Sequence, residues 1–129
     1  MNGKYLLDTN IVISLLRKDN EIVEKIEELD EAYIPVTVIG ELYFGAFKSK
    51  KVEENLQNIS NLLENIPVLA NSVSTARIYG EIKNQLKENE KPIPENDIWI
   101  AAIAKQYELT VMTNDIHFKE VEGLKPYSI

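Results

Sequence analysis

Four acids, Asp8, Glu41, Asp97 and Asp115, stand in or beside apolar stretches: YLLDTNIVI, TVIGELYFGA, PENDIWIAAIA and LTVMTNDIHF. An unpaired carboxylate is costly in such surroundings, so acids kept there share hydrogen-bond donors, protons or a metal ion. The chain has one histidine and no cysteine. With no cluster of nitrogen or sulfur ligands, a hard divalent cation suits the set best.

Each acid also has an ordinary structural use to set against this. Asp8 and Asp97 suit a turn or a first helical turn, where backbone N–H groups satisfy them. Glu41 resists that account. Val38, Ile39, Leu42, Tyr43, Ala46 and Phe47 make its helix apolar, while Thr37, Glu41, Gly45 and Lys48 form a thin polar stripe. A carboxylate there needs a partner, with Lys48 and Arg17 the basic candidates.

The elements that must position these acids follow from periodicity. Strands are expected at Lys4 to Leu7, Ala32 to Val36, Ile66 to Leu69 and Leu109 to Thr113, with a last short one within Gly123 to Ile129. Pro35 puts the second at an edge or a strand end. Helices are expected over Ile11 to Leu16, Asn20 to Leu29, Thr37 to Lys48 with Thr37 as cap, Lys51 to Asn65, Ser72 to Glu88 and Glu95 to Tyr107. Trp99 belongs in the core on this reading, and Ala101, Ala102 and Ala104 allow close helix packing. Strands separated by helices indicate a single α/β domain over residues 1–129: a mainly parallel twisted sheet of four to five strands with helices on both faces.

In such a sheet, ligands sit beyond the carboxyl ends of the strands. Asp8 and Asp115 each follow a strand directly. The Asp97 helix joins the next strand by a very short link, so it runs antiparallel to that strand and its N-terminus returns to the same edge. Glu41 lies about one turn into a helix that leaves that edge. All four therefore converge. Glu95 sits at the same edge as a possible further acid, although the helix dipole also favours an acid there. Asp19 and Asp30 belong at the opposite edge.

Net charge is −7, from 21 acids against 14 bases. That balance opposes nucleic-acid binding, whose affinity comes mainly from Lys and Arg on phosphates. With four acids on a cation, 17 would face the 14 bases, and the bound charge would reverse the local field. The absence of cysteine fits a reducing cytoplasm. The strand-like run from Lys4 leaves no room for a signal peptide. Apolar runs such as IWIAAIA fall far short of the roughly twenty residues that span a bilayer.

Taken together, LLDTNIVI, the Glu of GELYFG, the Asp of NDIWIAAIA, and TNDIHF resemble the PIN-domain nucleases, and within them the VapC-like toxins of type II toxin–antitoxin pairs. Each motif is short; their order and spacing across nearly the whole chain carry the resemblance. It implies Asp8, Glu41, Asp97 and Asp115 as the acidic metal-binding and catalytic set, supported by Asn10 and Thr113. His117 stands where many relatives carry another acid and receives no role. The resemblance further implies a homodimer, one or two Mg²⁺ or Mn²⁺ ions per site, cleavage of RNA, and a small antitoxin that inserts a segment into the acidic groove. Exposed apolar faces on the second and fourth helices are compatible with pairing.

Candidate phosphate contacts are Lys48, Lys50 and Lys51, then Lys83, Lys87 and Lys91 at every fourth residue, with Arg17 and Lys18 as a smaller pair. Tyr43 and Phe44 are candidates for base stacking, core or dimer interface. Two rival functions stand beside the ribonuclease. One is a haloacid-dehalogenase-like phosphohydrolase, whose Asp-x-Asp opening is matched here only by Asp8-Thr9-Asn10. The other is a non-catalytic PIN-like interaction module.

Overall fold

Residues 3–129 are described by the structure, a computed structural model. Four strands, β1 (Lys4–Leu7), β2 (Glu31–Pro35), β3 (Val68–Leu69) and β4 (Thr110–Met112), alternate with six helices among these residues. The helices are α1 (Thr9–Leu16), α2 (Asn20–Glu27), α3 (Val36–Phe47), α4 (Val52–Asn65), α5 (Val73–Glu88) and α6 (Glu95–Gln106). A 3-10 turn spans Ile116–Glu120. None of the helices is long and apolar enough to cross a membrane.

The sheet order is β3-β2-β1-β4, and every pairing is parallel. Leu6 lies opposite Tyr33 on one side and Val111 on the other. Consecutive residues Tyr5, Leu6 and Leu7 are all buried. Because neighbours along a strand point to opposite faces, both faces of β1 are covered. The chain moves one way from β1 through β2 to β3, then jumps back across β1 to β4. Right-handed crossovers then put α1–α4 and α5–α6 on opposite faces and open a crevice at the carboxyl ends of β1 and β4.

The core is continuous. Helix α6 buries Ile98, Ile100, Ala101, Ala102, Ile103 and Ala104 in one stretch, and its alanines allow the close approach to α5. A helix apolar on nearly every side belongs inside a fold. Phe118, from the 3-10 turn, is fully buried.

Four expectations need correction. Tyr127 makes only a single parallel bridge, to Met112, so the tail is not a fifth strand. Pro126 has no N–H to extend a ladder, and the tail is held instead by Tyr127 N donating to Val111 O and Thr113 N donating to Tyr127 O. Thr37 is not the cap of its helix: Pro35 occupies that position, the backbone is already helical at Val36, and the buried Thr37 Oγ1 has no partner. Trp99 is half-buried and stacks on Tyr79 at 4.0 Å between ring centroids, outside the core. The apolar faces of the second and fourth helices meet across a groove of about 520 Å³, where Val23 and Ile26 oppose Leu62 and Ile66 beside Leu15. The most exposed large aromatics among the described residues are instead Phe44 and Phe47 on α3, 67% and 64% exposed.

Candidate active site

Asp8 ends the β1 run and turns the chain into α1. Its side chain caps that helix, accepting from Thr9 N at 2.8 Å, and so fixes its own orientation. It is only 3% exposed. Thr113 Oγ1 donates to Asp8 Oδ2 at 2.7 Å, and Asn10 Nδ2 donates to the same oxygen at 3.0 Å. Thr113 Oγ1 in turn accepts from Asp115 N at 2.9 Å, while Asn10 Oδ1 accepts from Asn114 N at 3.1 Å. Asn10 and Thr113 therefore lock the end of β1 to the end of β4. Burial pushes the Asp8 carboxyl up; the Thr113 and Thr9 bonds oppose this, and the charges of Asp115 and Glu41 add to it. The Asn10 side chain stands as a donor where a haloacid-dehalogenase-like site would place a second acid.

Glu41 lies on α3, half-buried, with both carboxylate oxygens engaged. Thr9 Oγ1 donates to Oε2 at 3.1 Å and Asn96 Nδ2 donates to Oε1 at 2.9 Å. Its partners are thus Thr9 and Asn96, and neither Lys48 nor Arg17 pairs with it. Asn96 brings the first turn of α6 against α3 and sets the neighbouring Asp97 beside the other acids.

Asp97 is 9% exposed, and its Oδ2 has no hydrogen-bond partner. Burial, then the charges of Asp115 and Asp8, push its carboxyl up to about 7. Asp115 caps the 3-10 turn by accepting from His117 N at 2.9 Å. Burial would raise it too, but the His117 N–H, the hydrogen bond with Asp97 and the His117 charge outweigh that and hold it below the usual carboxylate range. The two acids therefore behave as a pair in which Asp97 keeps the proton. His117 Nδ1 lies 2.8 Å from Asp115 Oδ1 and 3.4 Å from Asp97 Oδ2.

All four predicted acids reach the carboxyl edge, but not as one compact cluster. Asp97 and Asp115 form the tight pair with His117, while Asp8 and Glu41 are held alongside through Thr113, Thr9 and Asn96. Among the described residues no Lys or Arg forms an ion pair with any of them. A buried carboxylate oxygen without a donor, and two carboxyls raised by burial and then by their neighbours' charge, suit a divalent cation. Glu95 does not join them. It accepts from the Tyr79 hydroxyl and the Lys83 ammonium of α5 on the exposed side of α6, and Lys83 followed by Tyr79 lowers its pKa.

Sequence reasoning passed over Thr9, Asn96 and His117. For His117 the signal was present as the Asp115-Ile116-His117 spacing; for the other two only the folded chain shows the contact. The candidate lysines are dispersed. Lys48 sits over the Phe44 ring at 4.9 Å and Lys51 pairs with Glu54 at 3.9 Å. Both follow the far end of α3, with Lys48 about 10 Å along the axis from Glu41. Lys83 and Lys87 line a separate cleft with Pro92, Ile93 and Glu95.

Residues 5–124 match the PIN domain family. The chain is 35% identical over 125 residues to Ribonuclease VapC2 of Haemophilus influenzae, covering 95% of each protein. It is 30% identical over 125 residues to the tRNA(fMet)-specific endonuclease VapC of Shigella flexneri, again covering 95% of each. The fold superimposes on a chain in the crystal structure of DNA-bound VapBC from Salmonella typhimurium with a TM-score of 0.92, at 27% identity and 98% coverage of both chains.

Proposed function

This chain belongs to the PIN domain family, and from that premise we propose that it is a Mg²⁺- or Mn²⁺-dependent endoribonuclease, the toxin of a type II toxin–antitoxin pair. The observation that carries the reading is the gathering of Asp8, Glu41, Asp97 and Asp115 at one sheet edge where, among the described residues, no Lys or Arg pairs with them. These four would hold the cation. When bound, the cation polarises the scissile phosphoryl group, lowers the pKa of the attacking water and offsets charge on the leaving oxygen.

The chain's own residues supply positioning. Thr113, Asn10 and the Thr9 N–H hold Asp8 in one rotamer, and Thr9 with Asn96 does the same for Glu41. A site held rigidly before substrate arrives loses less on binding. Asp97 is pushed up to about 7, so holding a cation would require it to release a proton at or below neutral pH. Attack by water leaves a 5′-phosphate and a 3′-hydroxyl. Attack by the RNA 2′-hydroxyl would need a separate acid and base, and the chain's one histidine is set among carboxylates.

Several structural relatives are toxin–antitoxin complexes, which supports an antitoxin as the inhibitory partner, entering the acidic crevice with cationic groups. The exposed Phe44 and Phe47, with Tyr43 stacked on Phe47 at 6.3 Å, support a homodimer contact on α3. The decisive experiment assays RNA cleavage by wild type, Asp8→Asn and Asp97→Asn, with Mn²⁺ and with chelator. The reading requires cleavage by wild type with metal only. Equal cleavage by all three proteins, or cleavage indifferent to chelator, refutes it.

A further inference from the structure

We propose that His117 completes a mixed nitrogen–oxygen metal site with Asp97 and Asp115, one that shifts preference from Mg²⁺ towards borderline transition ions such as Co²⁺, Ni²⁺ and Zn²⁺. The proposal rests on reading the acidic edge as a cation site and adds to it an imidazole ligand.

The first support is geometric. His117 Nδ1 and one carboxylate oxygen each from Asp97 and Asp115 lie within 4.8 Å of one another. Nδ1 stands 2.8 Å from Asp115 Oδ1 and 3.4 Å from Asp97 Oδ2. Donors about 2.1 Å from a shared ion stand about 3.0 Å apart at a right angle and about 3.4 Å apart at a tetrahedral one. The two separations from Nδ1 fit donors that share one ion.

The second support is the state of the atoms. Asp97 Oδ2 and His117 Nδ1 are both shut off from water, and neither has a hydrogen-bond partner. The short contact between Nδ1 and Asp115 is an electrostatic one, without the alignment of a full hydrogen bond. A nine-tenths-buried carboxylate and a ring nitrogen that face each other without a bond between them are two ligand atoms short of an ion. The ring is also anchored, because the His117 backbone N–H donates to Asp115 Oδ1 and Asp115 caps that same turn. Half of the imidazole remains exposed, leaving its other nitrogen free to carry the proton into solvent.

The consequence for metal choice follows from ligand chemistry. Mg²⁺ favours oxygen donors and keeps its waters, whereas imidazole suits Zn²⁺, Ni²⁺ and their neighbours. An imidazolium–carboxylate ion pair without metal is the competing account of the same contact, and metal titration separates them.

Metal-free full-length protein is titrated with Mg²⁺ and with Co²⁺ by calorimetry, and the visible absorption of bound Co²⁺ is recorded. The proteins are wild type, His117→Ala, His117→Asp and Asp97→Asn. Because most sites prefer Co²⁺ to Mg²⁺, the informative quantity is the change in their ratio. In His117→Ala, Co²⁺ affinity is expected to fall about tenfold with altered absorption bands, while Mg²⁺ affinity moves less than about twofold. His117→Asp is expected to lower the Co²⁺-to-Mg²⁺ ratio by strengthening Mg²⁺. Unchanged Co²⁺ affinity and spectrum in His117→Ala, with both metals lost in Asp97→Asn, would leave the acidic cation site standing and remove the imidazole from it. Equal weakening of both metals in His117→Ala would also overturn the proposal. Wild-type metal binding by Asp97→Asn would bring down the underlying cation site as well.

Discussion

Replacing Asp97 with Asn removes one charge from the acidic pair while keeping its shape. In the metal-free protein its carboxyl titrates at about 7, against an ordinary value of 3.8, mainly because it is buried and secondly because Asp115 and Asp8 repel its charge. A group raised in this way stabilises the fold fully below its unfolded value, and that stability is lost as pH climbs through about 7. At 1.36 kcal/mol per pH unit, the gap sets an upper bound of about 4 kcal/mol on the cost at pH 8, which solvent screening at this partly wetted edge reduces. Asp115 moves the opposite way and returns part of this. An Asn at position 97 carries no such cost, and its Nδ2 can donate to Asp115 as the carboxyl proton did. A net gain of roughly 1–3 kcal/mol at pH 8 in chelator is expected. For 129 residues, unfolding entropy of about 2.1 cal/mol/K per residue converts each kcal/mol into about 4 °C. The variant should therefore melt roughly 4–12 °C above wild type. Mn²⁺ at a thousand times its Kd should reverse the order, since the ion stabilises only the protein that binds it, by about 4 kcal/mol. Thermal melts at pH 8, with chelator and with Mn²⁺, test both halves. A variant that melts at or below wild type in chelator would show that Asp97 is neither desolvated nor repelled as described.

The same linkage predicts a pH profile. Asp97 and Asp8 are both raised, so metal-free wild type should gain melting temperature as pH falls from 8 towards 5, and Asp97→Asn should show a much shallower slope; parallel slopes would contradict the assignment. Depressed Asp115 contributes stability lost only below the ordinary carboxylate range, so its effect should appear as a downturn at lower pH. Thr113→Val keeps the buried shape but removes the donor to Asp8 Oδ2 and leaves Asp115 N without its acceptor. Urea unfolding should show a loss of about 1–3 kcal/mol with an unchanged slope, and a loss under about 0.5 kcal/mol would mean that water replaces the hydroxyl.

Much of the scaffold can be read from short-range chemistry. LLD marks a buried strand ending at an edge, IWIAAIA a helix buried nearly all round, and the strand–helix alternation a parallel sheet. From those three readings the delivery of Asp8, Glu41, Asp97 and Asp115 to one edge follows with no further information, because strand direction and link length leave the acids nowhere else to go. What pairs with what depended on tertiary structure. Asp8 and Thr113 are 105 residues apart, and they meet because Leu7 lies in register with Met112. Asn96 reaches Glu41 across 55 residues, and Glu95 turns away to Lys83 although it is only one residue earlier. Thr37 misses its cap because Pro35 ends the strand and Val36 begins the helix without an intervening residue. Local pattern encodes which face a residue takes. The partner on that face is set by the register and packing of segments distant in the chain, which no single window of sequence contains.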